Sequence, residues 1–206
     1  WVFSNDIKNI EEGAQSGAEV SVISAKNQHL STALYNKHSL IAARVYTAGK
    51  EPFDTAMIQA RLKKAADYRA LTYPNRKTFG LVFSESDGLP GLIIDKYEDV
   101  LVAQFLTVAM DQRKTLIVEA LQAMFSPVCI VERGDSSGRE YEGLSDTSGI
   151  LTGAMPEMLI ADLNGIKMRV DAEHGQKTGM YLDQVENWNL VRPISKGAKV
   201  LDLFSN

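Results

Sequence analysis

The segment from Gly175 to Gly179 carries side chains that could bind a small ligand. It reads Gly-Gln-Lys-Thr-Gly, so an amide, a long cation and a hydroxyl stand between two glycines. Glycine adopts backbone conformations that other residues avoid, and the two glycines therefore permit a tight path around Lys177. The segment predicts a compact turn that presents polar groups.

A second polar group follows closely along the chain. Gln184 and Asn187 are three positions apart, and residues at that spacing lie on the same face of a helix. Asp183 is suited to cap this helix because its carboxylate can accept bonds from the first backbone N–H groups. The pattern indicates either a binding surface at the start of a helix or a helix start with a polar loop and no ligand.

The last residues read as a buried strand that contains a carboxylate. Val200 to Phe204 is apolar except for Asp202. Ligands of open α/β sheets bind beyond the carboxyl ends of the strands, so Asp202 is a candidate for one wall of a nucleotide-type pocket. An apolar strand with an acidic residue is common in such folds, and this motif is weak without a glycine loop after it.

The charge of the chain is unevenly distributed. The 206 residues have a net charge of −4, yet Asp54 to Lys77 contains six basic and two acidic residues. Apolar residues recur at helical spacing from Asp54 to Tyr73, and Pro74 follows, which predicts one amphipathic helix. Its basic side chains are either a phosphate-binding face or a solvated helix surface. The candidates for RNA binding are Arg61, Lys63, Lys64 and Arg69.

The remaining pattern favours a mixed fold. Short β-type runs before residue 50 predict a small β-barrel or sandwich. Apolar runs between residues 79 and 107, a helix over Asp111–Phe125 and a strand at Cys129–Glu132 predict a small sheet backed by one helix. Asn164-Gly165, between two apolar runs, predicts a β-hairpin.

Composition excludes several classes of protein. Hydrophobic residues make up 45% and charged residues 23%, which is typical of a soluble globular chain, so we expect no membrane partner and a cytoplasmic location. No apolar run approaches the ~18 residues of a membrane span. The single cysteine, Cys129, lies in an apolar run and is expected to be a buried structural residue. His29 and His38 fit no metal-binding spacing, and we predict no metal site.

Four segments, in order along the chain, resemble motifs of the large-subunit ribosomal RNA methyltransferase I family. This family comprises class I S-adenosylmethionine-dependent cytosine-C5 RNA methyltransferases with an N-terminal PUA domain. The four are Trp1–Ser4, the turn of Phe83–Leu92, Arg139–Leu144, and the tail with Gln176–Gly179 and Leu182–Asn187. The resemblance covers nearly the whole chain.

The resemblance implies an α+β fold that passes into α/β. Residues 1–53 would form a PUA-like β-barrel and residues 54–73 a linker helix. Residues 74–165 would form a central α+β domain of strand-strand-helix-strand-strand order. Residues 166–206 would form a hairpin and the truncated beginning of a Rossmann-like methyltransferase domain.

The resemblance also implies S-adenosylmethionine as cofactor, ribosomal RNA as partner and a homodimer. The residues expected to bind the cofactor are Gln176, Lys177, Thr178, Gly179, Gln184, Asn187, Asp202 and Phe204. The family has arginines where this chain has Val185 and Trp188, which puts one carboxylate or phosphate contact in doubt. Trp188 would instead pack on a base or on the sheet.

No catalytic residue is expected within these 206 residues. The cysteine nucleophile, the proton acceptor and the glycine loop are not found, and we expect the chain to be a segment of a longer enzyme. Two other hypotheses stay open at this point. One is a non-catalytic PUA-type RNA-binding protein, and the other is a guanine-directed ribosomal RNA methyltransferase.

Overall fold

The computed structural model describes residues 1–201 and Leu203. It contains ten strands in three sheets, and five α-helices. The strands are β1 Glu19–Ile23, β2 His29–Tyr35, β3 Ala43–Thr47, β4 Thr78–Phe83, β5 Leu92–Tyr97, β6 Val100–Phe105, β7 Cys129–Arg133, β8 Ser148–Gly153, β9 Ile160–Leu163 and β10 Ile166–Arg169. The helices are α1 Thr55–Thr72, α2 Val108–Gln112, α3 Lys114–Phe125, α4 Ser137–Tyr141 and α5 Val185–Ile194.

The N-terminal part is a three-stranded antiparallel sheet in the order β1-β2-β3. A β-type run was predicted at Trp1–Ser4, but the structure has no full strand there. Val2 forms a single bridge with Ala43, and a 3₁₀ turn follows at Ser4–Asp6. A strand at this position is too short to pair further because the chain turns directly after Phe3. The predicted β-type runs otherwise form strands.

Helix α1 links this sheet to the centre of the molecule. Asp54 caps it by accepting a bond from the Met57 backbone N–H at 2.9 Å, and Tyr73 follows its last turn. Ile58, Leu62 and Ala65 are buried at helical spacing, which fixes the inward face.

The central sheet has five strands in the order β4-β5-β6-β7-β8. All neighbours are antiparallel except β6 and β7, which are parallel and are joined through α2 and α3. The predicted strand-strand-helix-strand-strand order is therefore incomplete, because three strands precede the helices. The predicted single helix is also divided, since Arg113 leaves helical geometry at φ −100° and ψ 10°.

Both faces of the central sheet are covered. One face packs on α1 and α3, in a core that includes Leu81, Ile94, Leu101 and Ile117. The other face is covered by the β9–β10 hairpin and the chain that follows it. That second core contains Tyr97, Val102, Cys129, Val131, Leu159, Ala161, Leu163, Val170, Ala172, Met180 and Val185. The sheet therefore positions residues 170–185 directly over its second face.

The hairpin forms at Asn164-Gly165, as predicted, with both residues at positive φ of 57° and 84°. The predicted strand at the end of the chain is not formed at Lys199, Val200 or Leu201. Asp202 and Phe204 lie outside the described residues. No helix within residues 1–201 combines the length and hydropathy of a membrane-crossing segment.

Candidate functional site

The Gly175–Gly179 segment is a tight turn built on Asp171. The Asp171 Oδ1 atom accepts bonds from the backbone N–H groups of Glu173 at 3.2 Å and His174 at 2.9 Å. The Asp171 carbonyl accepts from Gly175, and the Gln176 carbonyl accepts from Gly179, both at 2.9 Å. These bonds fold the chain back on itself and leave the side chains at the tip of the turn outside.

Two positions in this turn need an unusual backbone. Lys177 has φ 54°, and Gly179 has φ 138°. A Cβ atom on Gly179 would lie 2.7 Å from the Val170 Cγ1 atom, so a larger residue would both strain the backbone and clash. The predicted tight path of this segment is present in the structure.

The turn is anchored to the central sheet at its first residue. Arg133, at the end of β7, donates from Nη1 to the Gly175 carbonyl at 2.8 Å. Its guanidinium also bonds both carboxylate oxygens of Asp135, at 3.1 and 2.7 Å. Only 5% of the Arg133 side chain is exposed, so this anchor is held within the protein.

The second anchor is Thr178, which we predict from the sequence as a cofactor-binding residue. Thr178 is only 1% exposed. Its hydroxyl donates to the Asp95 Oδ2 atom at 2.5 Å and lies 2.9 Å from the Tyr97 hydroxyl, both on β5. Thr178 therefore points into the protein and fixes the turn, while Gln176 and Lys177 point out.

Burial and hydrogen bonding alter the acidity of this anchor. Burial raises the pKa of Asp95 to about 6, against the opposing effects of the Thr178 hydrogen bond and the charge of Lys177. Burial also raises the pKa of Tyr97. Both groups are thus biased towards their neutral forms, as expected for polar side chains enclosed between a sheet and a turn.

The exposed groups of the site form a small polar surface. The Lys177 Nζ atom lies 2.8 Å from the Asp183 Oδ1 atom and 4.5 Å from the centre of the Tyr181 ring. This ion pair lowers the pKa of Asp183. The Asn187 Nδ2 atom donates to the Gln184 Oε1 atom at 2.8 Å, so the two amides lie together at the start of α5 as predicted. The cap position of α5 is Gln184 and not the predicted Asp183.

The structure thus brings together most of the predicted cofactor residues. Gln176, Lys177, Thr178 and Gly179 share one turn, and Lys177 reaches the segment that leads into α5. The residues that sequence reasoning missed are the anchors Asp95, Tyr97 and Arg133. Asp95 could have been found, because it is an acidic residue within the otherwise apolar start of a strand, Leu92-Ile93-Ile94-Asp95.

The two departures from the family pattern are packing residues. Val185 is 2% exposed and belongs to the second core. Trp188 packs against the same core, which agrees with the second of its two predicted roles. Neither position supplies a charge near the turn.

The four predicted RNA-binding side chains do not form one free cationic face. Arg61 donates to the backbone carbonyls of Gly88 and, at 2.6 Å, of Tyr46. Arg69 forms a two-bond pair with Asp87, at 2.5 and 2.7 Å. These two arginines fasten α1 to its neighbours.

Lys63 and Lys64 are the exposed members of the predicted set. Lys63 pairs with Asp67 one turn later, at 2.7 Å. The prediction of an RNA-binding helix face accordingly depends on these two lysines.

The loop from Arg133 to Leu144 is tied down by arginine–carboxylate pairs. Arg139 is 1% exposed, donates to the carbonyls of Phe105 and Ser145, and pairs with Asp111 at 3.0 Å. Cys129 is buried, and burial raises the pKa of its thiol, as expected for a structural cysteine. Among the described residues no group of His, Cys, Asp or Glu could hold a metal ion.

The chain is similar in sequence to a known domain family and to known proteins. Residues 1–48 match the model of the PUA-like domain family. Ribosomal RNA large subunit methyltransferase I of Vibrio cholerae is 38% identical in an alignment of 208 positions, which covers 100% of this chain and 52% of that protein. This chain is similar to ribosomal RNA large subunit methyltransferase I over its whole length.

Further ribosomal RNA large subunit methyltransferases I give the same result. The Shewanella denitrificans protein is 38% identical over 209 residues, covering 99% of this chain and 53% of the relative. The Yersinia pseudotuberculosis protein is 35% identical over 209 residues, with 100% and 53% covered. The chain therefore spans about half the length of the curated ribosomal RNA large subunit methyltransferases I that it matches.

Solved structures share the fold. One assigned to a SAM-dependent methyltransferase from Streptococcus mutans superposes with a TM-score of 0.77 at 21% identity, covering 92% of this chain and 48% of that one. Another, SMU.776 in complex with SAH, has a TM-score of 0.76 at 21% identity, covering 91% and 47%. The PUA-like N-terminus and the mixed α/β fold predicted from the sequence are confirmed.

Proposed function

We propose that this chain is part of an S-adenosylmethionine-dependent ribosomal RNA methyltransferase of the large subunit, and that the methyl group goes to cytosine C5. The observation that carries the ribosomal RNA methyltransferase proposal is similarity along the entire chain, at 35–38% identity, to ribosomal RNA large subunit methyltransferase I of three bacteria. Cytosine C5 is added by the resemblance of the sequence motifs to the cytosine-C5 family. The solved structures of the same fold support it, because one of them contains SAH.

The exposed residues of the turn fit this cofactor. S-adenosylmethionine has an amino-acid carboxylate and amino group, a ribose diol and a base. Lys177 offers a cation for the carboxylate, and Asp183 with the amides of Gln176, Gln184 and Asn187 offers partners for amino and hydroxyl groups. When bound, the cofactor supplies an electrophilic methyl group on a sulfonium.

The chain's own contribution would be to bind and orient. The sheet holds the turn through Arg133 at Gly175 and through Asp95 at Thr178, so the backbone that carries Gln176 and Lys177 is held in place before a ligand arrives. Pre-ordered partners lower the entropy that binding costs. Cys129 is unsuited to be the nucleophile that cytosine-C5 chemistry needs, since it is buried and its thiol is kept protonated.

The reaction is tested on the full-length parent protein with large-subunit ribosomal RNA and radiolabelled S-adenosylmethionine. We expect label on cytosine C5 after digestion to nucleosides. Label on guanine would replace the substrate assignment with the guanine-directed alternative. Absence of transfer together with retained RNA binding would favour the non-catalytic RNA-binding protein.

The cofactor contact is tested by Lys177→Gln in the full-length protein. We expect binding of S-adenosylmethionine, measured by calorimetry, to weaken at least tenfold, because a charge-assisted contact contributes roughly 1.5–3 kcal/mol. Lys167→Gln is the matched control, since Lys167 is an exposed lysine on β10. Equal affinity in both variants would remove Lys177 from the cofactor site.

A further inference from the structure

A second site lies away from the turn, in a cleft of about 600 Å³ at the end of α1. One wall is the segment after α1, and the other is the β9–β10 turn, with Glu98 between them. The lining includes Tyr73, Asn75, Arg76, Lys77 and Asn164. Its volume falls within the ~300–1,000 Å³ of small-ligand sites.

An aromatic ring and a guanidinium are stacked in the wall of this cleft. The Arg76 Cζ atom lies 4.3 Å from the centre of the Tyr73 ring. The Arg76 Nη2 atom also donates to the Glu186 Oε1 atom at 2.5 Å, and only 11% of the Arg76 side chain is exposed. Tyrosine rings and arginine planes are the surfaces on which unpaired bases stack, and here both are already ordered.

The polar groups of the cleft suit the rest of a nucleotide. Asn75 and Asn164 are exposed, and each amide can donate and accept, as the edge of a base requires. Lys77 is exposed and adds a positive charge that a phosphate could contact.

The two carboxylates in the cleft are engaged by the protein. The Glu98 Oε1 atom accepts from the Thr78 hydroxyl and from the Asp162 backbone N–H, both at 3.2 Å. The Asp162 Oδ1 atom accepts from the Gly165 backbone N–H at 2.7 Å. These acids therefore hold the turns that form the cleft.

We propose that this cleft binds one unpaired nucleotide of an RNA strand, with the base on Tyr73 and Arg76 and the phosphate near Lys77. The proposal rests on the proposed function for the identity of the polymer as RNA. It adds a binding site apart from the lysines of α1. Glu186, the partner of Arg76, lies on the first turn of α5 between Gln184 and Asn187, so the wall of the cleft is joined to the candidate cofactor surface.

The proposal is tested by fluorescence anisotropy with a labelled, unstructured eight-nucleotide RNA and this chain. Tyr73→Leu should weaken binding about tenfold, because a base can no longer stack on an aromatic ring. Asn75→Ala with Lys77→Gln should weaken it about threefold to tenfold. Lys8→Gln with Asn9→Ala removes the same groups from another exposed loop and should leave affinity unchanged. Circular dichroism and thermal melting establish that each variant is folded.

Several outcomes would overturn the proposal: affinities equal to the control, no binding of the RNA by the chain, or equal loss with a fully paired duplex. A change in stability of the full-length protein without a change in RNA binding would instead make the cleft an internal contact. Failure of the proposed function can be distinguished from failure of this proposal. If the parent protein transfers no methyl group but the cleft variants still lose RNA affinity, the nucleotide site stands and the enzyme assignment does not.

Discussion

Asp95 is a residue of β5 that connects the central sheet to Thr178. It lies beneath the candidate cofactor turn, accepts the Thr178 hydroxyl, and has Lys177 and Asp183 as its nearest influential charges. Burial is the largest effect on its acidity and raises the pKa from 3.8 to about 6. The Asp95 carboxyl group therefore binds a proton at higher pH in the folded state than in the unfolded state.

The stability of the chain should therefore fall as the pH rises through this interval. The folded state binds more protons than the unfolded state between pH 3.8 and about 6, so the free energy of unfolding decreases by about 2–3 kcal/mol across it. Asp95→Asn keeps an acceptor for Thr178 but has no charge to bury. We expect the variant to gain about that much over the wild type between pH 4 and pH 7, in urea unfolding curves.

Asp146→Asn is the matched control for this measurement, because Asp146 is exposed. Its unfolding free energy should follow the wild-type pH profile. Parallel profiles for Asp95→Asn and the wild type would show that the Asp95 carboxyl group does not carry the pH dependence.

At the scale of elements, helix α1 is fixed by its arginines as well as by its apolar face. Arg61 and Arg69 reach carbonyl groups and Asp87 at the Ser84–Gly88 turn and on neighbouring strands. In Arg69 and Asp87 only 12% and 10% of the side chains are exposed. A pair with so little solvent is costly to break, since the remaining charge is left buried.

Arg69→Ala should lower the free energy of unfolding by about 3 kcal/mol, because Asp87 would lose its partner within the protein. Lys63→Ala removes an exposed pair with Asp67 on the same helix and should cost less than about 1 kcal/mol. Chemical denaturation compares the two variants. A loss for Arg69→Ala no larger than that for Lys63→Ala would contradict a structural role for the arginine.

Because Arg61 and Arg69 are engaged within the protein and Lys63 and Lys64 are exposed, RNA binding by α1 is tested on the two lysines alone. Charge reversal of Lys63 and Lys64 together leaves the contacts of Arg61 and Arg69 with the rest of the protein intact. We expect weaker binding of ribosomal RNA and a slope of log affinity against log salt that is shallower by about 2, if both lysines contact phosphates. Lys26→Glu with Lys37→Glu changes the charge equally at exposed positions elsewhere. Unchanged affinity and slope for the α1 variant would place the RNA surface away from this face.

These elements also show how far the sequence alone predicts the structure. The bounds of α1 and the Asn164-Gly165 hairpin follow from local signals: a cap at Asp54, helical spacing of apolar residues and a turn dipeptide. The predicted order includes a strand after β7, but the sequence does not locate β8, because Gly149 and Gly153 flank its short apolar run. Strand β8 is extended because it pairs with β7, although its own residues have little preference for a strand.

The candidate site was predictable only in its exposed half. The Gly-Gln-Lys-Thr-Gly pattern indicated a tight polar turn, but the inward direction of Thr178 depends on Asp95, which is 83 residues earlier in the chain. Likewise, Arg61 and Arg69 are not available to RNA because they bind the Gly88 carbonyl and the Asp87 carboxylate, which lie far along the chain. Tertiary partners of this kind leave no periodic trace in the sequence.

At the scale of the whole molecule, the N-terminal sheet and the central sheet share one hydrophobic core. Leu34, Tyr46 and Phe53 pack in the same cluster as Leu81 and Ile117. A polar network crosses the same boundary, because Arg44 pairs with Glu85 at 2.9 Å and with Glu142 at 3.2 Å. The RNA-binding and cofactor surfaces proposed above are therefore attached to one continuous scaffold.

This shared core predicts a single unfolding transition for residues 1–206. Glu142 also accepts two bonds from the Asn36 side chain, at 2.9 Å to its carbonyl and 2.8 Å to its carboxylate. Glu142→Ala removes partners of both Arg44 and Asn36 and should lower the free energy of unfolding by about 1–3 kcal/mol. Because the core is common to both parts, calorimetry should show the whole transition moving down in temperature without splitting. Glu140→Ala, at an exposed neighbouring position, should leave it in place, whereas two separate transitions in the wild type would mean that the N-terminal sheet folds independently.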